Sequence, residues 1–183
     1  MNPAETRIAD ILRRDPVLQR ALPALAGLAL PDAWIGAGAV RNPVFDHLHE
    51  LAPQPLADID VAWFDPDDAS AERDAAIEAE LRRQAPGLPW SVHNQARMHR
   101  RNGHAPYAGA VHAIGHWVET VTAVAARLDC RGGIEIAAPH GVDDLLALVL
   151  RPVPAYRDRL DVFYARIAAK GWIRRWPRLT VRL

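Results

Sequence analysis

Apolar residues recur along the chain with two periods, and prolines, glycines and capping residues mark where one period gives way to the other. Asn2-Pro3-Ala4-Glu5 supplies a cap, a first-turn proline and a first-turn acid, and Ile8, Ile11 and Leu12 then share one helical face. Asp15-Pro16 repeats the start signal, and Val17, Leu18, Leu22 and Leu25 continue it to Gly27, with Pro23 as a kink or break. Residues 33–38 are short, apolar and bounded by glycine, which predicts a buried strand; 39–49 are helical in pattern, the helix proper starting near Pro43. Strict alternation over 58–64 (DIDVAWF) predicts a second strand, ended by Asp65-Pro66. Ser70 caps a helix to about Gln84 with Ile77 and Leu81 inward, and Pro86-Gly87 stops it.

Residues 90–96 read as a third strand, and 108–121 as a helix. TAVAARL and IEIAA predict a hairpin over 122–136 that closes at Gly132-Gly133, with a helix over 117–128 as the alternative. A helix is expected from Gly141 to Leu150, a linker at Arg151-Pro152-Val153-Pro154, and an amphipathic helix from Tyr156 to Lys170 that ends at Gly171. Strands alternating with helices predict an α/β (α+β) domain, a mixed sheet flanked by helices, over residues 1–150. Residues 151–183 form a helical extension packed on the same domain.

Composition changes this picture in one respect. The 183 residues are half hydrophobic and formally neutral, but the extension is strongly basic, with Arg166, Lys170, Arg174 and Arg175 near its centre and only Asp158 and Asp161 in opposition. It can fold against an acidic body or wall an anion site. The lone Cys130 excludes an internal disulfide framework, and the most apolar stretch is broken by Pro23, Pro31 and Asp32, so a cytoplasmic protein without a membrane span is expected.

Chemistry gathers in two places. In Asp58-Ile59-Asp60-Val61 the strand period turns both carboxylates to one face and both apolar residues to the other. Two carboxylates held close repel when ionised, and a hard divalent cation, Mg²⁺ or Mn²⁺, relieves that repulsion. Upstream, Gly36-Ala37-Gly38-Ala39 stands where a strand becomes a helix, a place where backbone N–H groups meet an anion, and Arg41 and Asn42 follow at once. A phosphate cradle before an acidic strand is the layout that holds a nucleoside triphosphate for attack at phosphorus.

Gly38-Ala39-Val40-Arg41-Asn42, followed by the D-x-D strand, resembles the G-G-x-V-R-D and D-x-D signature of the polymerase-beta-type nucleotidyltransferase superfamily, which includes tRNA nucleotidyltransferases. Ala37 stands where the first of the paired glycines is usual, and Asn42 where an aspartate is common. Over nearly its whole length the chain is similar to a family of bacterial nucleotidyltransferase-like proteins. The similarity rests on WIGAGAVRNPVFDHLHE, DIDVAWFDP, LPWSVHNQARMH, PYAGAVHAIGHWVET and APHGVDDLLALVLRPVP. The resemblance implies a nucleotidyltransferase fold and a Mg²⁺-dependent transfer of a nucleoside monophosphate from a triphosphate to an acceptor: a small molecule, an RNA or a protein. Asp58 and Asp60 are then the metal-binding catalytic pair, and Gly36, Ala37, Gly38, Ala39, Arg41 and Asn42 the phosphate site.

Many superfamily members carry a third carboxylate on the next core strand, where this chain has none; Asn94 or Glu135 is expected to complete the site, with Arg97 and His47 as further cleft candidates. Two alternatives stay open: a nucleotide-sensing module that has lost catalysis, and a glycosyltransferase that uses D-x-D to hold a nucleotide sugar. His112 and His116 share the four-residue spacing of helical zinc ligands but lack the accompanying glutamate. Glu119 reads as the start of a helix, and Asp143 and Asp144 as first-turn acids.

Overall fold

The computed structural model describes residues 2–183. Five strands form the main sheet: β1 (Trp34–Gly36), β2 (Ile59–Trp63), β3 (Trp90–Asn94), β4 (Ala125–Leu128) and β5 (Ile134–Ala137), in the spatial order β3-β2-β1-β4-β5. β1 lies between β2 and β4, antiparallel to both, while β2 and β3 run parallel and β4 and β5 form the hairpin predicted around Gly132-Gly133. The alternative helix over 117–128 does not form.

The period of two sorts the sheet residues. Ile35, Ile59, Val61, Trp63, Trp90 and Val92 face one side and join the principal core. Four helices cover it: α1 (Pro3–Arg13), α2 (Leu18–Gly27), α3 (Gly38–Leu48) and α4 (Ala71–Gln84). The caps read from the sequence are in place. Asn2 and Glu5 form a reciprocal capping box on α1, and Ser70 accepts from the Arg73 N–H at the start of α4. α3 starts five residues before Pro43, which is accommodated within it.

The opposite face carries Trp34, Ala62 and Ala125 in a smaller apolar cluster with α6 (Ala110–Ile114). Asp60 lies on this side, level with Gly36 on β1 and Ser91 on β3. Ile59 and Val61 are buried beneath it, so the apolar half of D-I-D-V fixes the strand and leaves the acidic half on the less covered face.

Further boundaries differ from expectation. β3 ends at Asn94, whose side chain accepts from the Ala96 N–H and so starts α5 (Gln95–Asn102), a polar helix that hydrophobic periodicity does not reveal. The helix expected over 108–121 stops at Ile114; beyond it Glu119 makes a β-bridge to Pro152. The helix expected up to Leu150 is cut to α7 (Asp143–Leu146), because Val149–Leu150 forms β6, which pairs in parallel with β7 (Thr180–Val181).

The C-terminal segment continues through a 3-10 turn (Pro154–Tyr156), α8 (Leu160–Lys170) and α9 (Trp172–Arg175). It returns to α3: the Trp176 ring meets Phe45 edge-on at 5.2 Å, and Asp46 accepts from both Trp176 Nε1 and Arg175 Nη2 at 2.7 Å. None of the described helices is long and apolar enough to cross a membrane.

Candidate functional site

Where β1 passes into α3, the chain turns at Ala37 with φ 52° and ψ −123°. Residues with a Cβ avoid this region, and the cost of holding one there is of order 1–3 kcal/mol. Thus the positive φ falls on the alanine, the position where the resembling signature has glycine. Gly36 does different work: a Cβ there would lie 2.7 Å from the Trp117 ring, so its missing side chain makes room for an indole instead of an anion. Gly38 and Ala39, as the first residues of α3, have N–H groups with no intrahelical acceptor, and the helix dipole adds positive potential there.

That helix start opens onto a cleft of about 440 Å³. Asp58 and Asp60 stand on one wall, and Gly38, Arg41 and Asn42 on another. Asp58, just before β2, is exposed; Asp60 is half-buried. Burial and, next, the neighbouring Asp58 push the Asp60 carboxyl up to about 6. Arg41 is almost wholly buried: Nη1 donates to Thr122 Oγ1 at 2.7 Å, Nη2 donates to Asn42 Oδ1 at 3.0 Å, and the guanidinium lies 4.3 Å from the centre of the Trp172 ring. Burial brings its pKa down to about 10, so it stays a cation at neutral pH.

The C-terminal segment supplies a third wall through Arg166, Lys170, Trp172 and Arg175. Arg166 is held by Glu119, which is fully buried, accepts from Arg166 Nε at 2.8 Å and leaves Oε2 without a partner. Arg166 and Thr122 lie outside the quoted motifs, and Glu119 reads only as the start of a helix. The only sequence signal for this wall is the surplus of positive charge beyond residue 150.

The expected extra members of the site lie elsewhere. Asn94 is fully buried on the helix-covered side, where Nδ2 donates to the Asp65 and Asp68 carbonyls and Oδ1 accepts from the Asp65 and Ala96 N–H groups. With every polar atom engaged, it is a bracket between β3 and the loop after β2. Arg97 pairs with the buried Asp74, which also accepts from Trp63 Nε1 and the Asn94 N–H. Glu135 is on β5, at the far edge of the sheet, paired with Arg127 at 2.7 Å. His47 is exposed on the side of α3 that faces α1, beside Ile11 and Arg14. Topology explains each displacement: β5 is separated from β2 by two strands, and the odd-even alternation of β3 turns Asn94 to the core.

If Asn94 is a bracket, Asn94→Ala removes a cap and leaves two carbonyls and two N–H groups to find new partners. The expected loss is roughly 2–3 kcal/mol, a fall of about 5–10 °C in Tm for a chain of this size, with ligand affinity below the transition unchanged. Thermal melts beside binding titrations check this; lost affinity in a folded variant would return Asn94 to the site.

A larger cavity, about 510 Å³, lies between α2 and the β4–β5 hairpin, lined by Leu22, Leu25 and Leu30 with Arg127 and Glu135 at its edge. It shares no residue with the acidic cleft. His112 and His116 pack with His104 and Tyr107, the rings of the pair 4.9 Å apart. Among the described residues, no group of three or more His, Cys, Asp or Glu side chains is placed to hold a metal ion. Two carboxylates on one wall of an open cleft are a donor set that fits a hard divalent ion whose shell is completed by water and phosphate. The Asp60 carboxyl, raised first by burial and then by Asp58, is a group whose charged form a nearby cation would favour.

Known proteins share this architecture. The family model described as "Nucleotidyltransferase" matches residues 23–181. An NMR structure described as revealing a CCA-adding enzyme head domain is 32% identical, with a TM-score of 0.83, covering 97% of this chain and 95% of that one. A CCA-adding enzyme in complex with CTP (16% identity, TM-score 0.61) covers 96% of this chain but only 43% of its own. The Thermotoga maritima CCA-adding enzyme complexed with tRNA is alike at 16% identity and TM-score 0.59, with 96% of this chain and 42% of its own covered. The chain thus spans less than half the length of those two enzymes. No curated protein matches it.

Proposed function

The chain belongs to the nucleotidyltransferase family, and from that premise we propose that it transfers a nucleoside monophosphate from a nucleoside triphosphate to an acceptor hydroxyl. One observation carries the reading. Asp58, Asp60, the start of α3 and Arg41, separate in sequence, line one cleft. The N–H group of Gly38 at the start of α3 and the Arg41 guanidinium hold the triphosphate; Arg166 and Lys170 add positive charge from the C-terminal wall. An acceptor oxygen forms a bond to the α-phosphorus, the bridge to the β-phosphate breaks, pyrophosphate leaves and the hydroxyl proton passes to water.

Asp58 and Asp60 would hold Mg²⁺ or Mn²⁺, which when bound neutralises phosphate charge and acidifies the attacking hydroxyl. What the chain itself contributes is orientation: Asp60 is fixed by the buried Ile59 and Val61, and Arg41 by Thr122, Asn42 and Trp172. The neighbours described with CTP and with tRNA make an RNA acceptor one candidate; a small molecule or a protein is equally compatible with the cleft.

Calorimetric titration of the four ribonucleoside triphosphates, with and without Mg²⁺, tests the reading. Wild type is expected to bind at least one in a metal-dependent manner, and the Asp58→Asn/Asp60→Asn double variant to lose at least about tenfold in affinity. Binding that ignores both metal and substitution would refute the assignment of the pair. Metal-dependent binding without pyrophosphate release under any acceptor would favour the sensing module.

A further inference from the structure

The cleft does not end at Asp60. Beyond it lies a second lobe of about 310 Å³, and Ala37, Asp60, Thr122 and Arg166 line both. The two lobes differ in chemistry. The first contains Arg41, Arg166, Lys170 and Arg175. The second is lined by Met98, Trp117 and Tyr156 together with the polar edges of His93, Gln95 and His116, and its only formal charges are Asp60 and Arg166 on the shared wall.

We propose, resting on the reading given above, that this aromatic lobe receives the nucleoside half of the triphosphate, so that the α-phosphate lies at the wall between Asp60 and Arg166. A polyphosphate needs cations along its length, and only the first lobe has them. A polycationic guest would need more carboxylates than Asp60, the one that lines the second lobe. What suits it is an uncharged flat ring with hydrogen-bonding edges: a thioether and aromatic faces to stack on, amide and imidazole groups to read the edge. Its size lies at the lower end of the ~300–1,000 Å³ typical of small-molecule sites.

Rigidity favours the same assignment. The Trp117 ring is seated where Gly36 has no Cβ, so this wall is packed against the sheet. Tyr156 is fixed within the 3-10 turn that leads to α8, and Arg166 on α8 is held by Glu119 at 2.8 Å. A nucleoside entering the lobe meets preformed walls, which lowers the ordering cost of binding.

The experiment compares inorganic tripolyphosphate with the four ribonucleoside triphosphates, all with Mg²⁺, by calorimetry. Wild type is expected to bind its preferred nucleotide at least about tenfold more tightly than tripolyphosphate, within the span that stacking one base supplies. Met98→Trp, which fills the lobe, and Tyr156→Ala, which removes a stacking face, should each shrink that ratio severalfold and leave tripolyphosphate affinity within about twofold. Two variants of opposite volume guard against one that fails to fold, which a thermal melt reveals.

A nucleotide bound no more tightly than tripolyphosphate, or a ratio unmoved in both folded variants, would overturn the nucleoside lobe while the transferase reading stands. If neither ligand binds, both readings fall.

Discussion

Replacing Asp60 by asparagine is expected to abolish transfer, by at least about 10³-fold, and at the same time to make the ligand-free protein more stable. The two effects share one cause. Burial and Asp58 push the Asp60 carboxyl up to about 6, so its charged form costs folding free energy at neutral pH. Between about pH 4, the ordinary value, and about pH 6 the folded state holds a proton that the unfolded state has released. Stability from this group therefore falls as pH rises through that window, and the full cost is present above it. A shift of this size corresponds to at most about 3 kcal/mol; as Asp60 is only half-buried, roughly 1–2 kcal/mol is the realistic share. Asparagine keeps the shape without the charge. Its Tm should exceed that of wild type by roughly 2–8 °C at pH 7.5, with the gap closing toward pH 4. Adding Mg²⁺ should raise the Tm of wild type and not that of the variant. Melts across pH with and without the ion check this; a variant less stable than wild type at pH 7.5 would mean that the carboxylate is satisfied by the fold and not held in readiness for a cation.

What could be read from the sequence was whatever local chemistry decides. Asn2 and Ser70 cap helices because a side-chain oxygen needs only the next turn, and the β4–β5 hairpin announces itself at Gly132-Gly133. The facing of D-I-D-V was legible because alternation is a local property, and the strand-to-helix turn at G-A-G-A because the two are contiguous, whereas the use of Gly36 to seat Trp117 was not. Asn94 and Glu135 were misplaced because their roles depend on strand order and facing, which single strands do not encode. α5 was invisible for a related reason: its sequence, QARMHRRN, has almost no apolar stripe, and Asn94 starts it by capping. Arg166 and Glu119 meet across 47 positions and Asp46 and Trp176 across 130, so the wall they build exists only once the C-terminal segment has folded back. The excess of arginine there gave its charge but not its address.

Arg41→Ala is expected to lower triphosphate affinity roughly 10–100-fold, and Arg41→Lys to recover little of it. Hydrogen bonds to a charged group contribute about 1.5–3 kcal/mol, which sets the range for losing the alanine variant's phosphate contact. Lysine restores a charge, but the site is shaped for a planar fork: one arm to Thr122 at 2.7 Å, the other to Asn42 at 3.0 Å, and the flat face over Trp172 at 4.3 Å. An ammonium on a flexible stem cannot keep all three. Burial adds to the difference, because a strongly hydrated ammonium is costlier to enclose than a guanidinium, and Arg41 is already brought down to about 10 by its enclosure. The substitution reaches further than phosphate. Trp172 loses the planar guanidinium it covers, which loosens the contact between α3 and the C-terminal segment, so both variants should melt earlier than wild type. Salt separates the two roles. The affinity deficit of Arg41→Lys should persist at high ionic strength, because geometry and not net charge is missing, whereas a site that merely needed a positive charge would be rescued by lysine at low salt. Titration of both variants with triphosphate at two ionic strengths, alongside melts, decides between them; full rescue by lysine would reduce Arg41 to a point charge and remove the fork from the binding site.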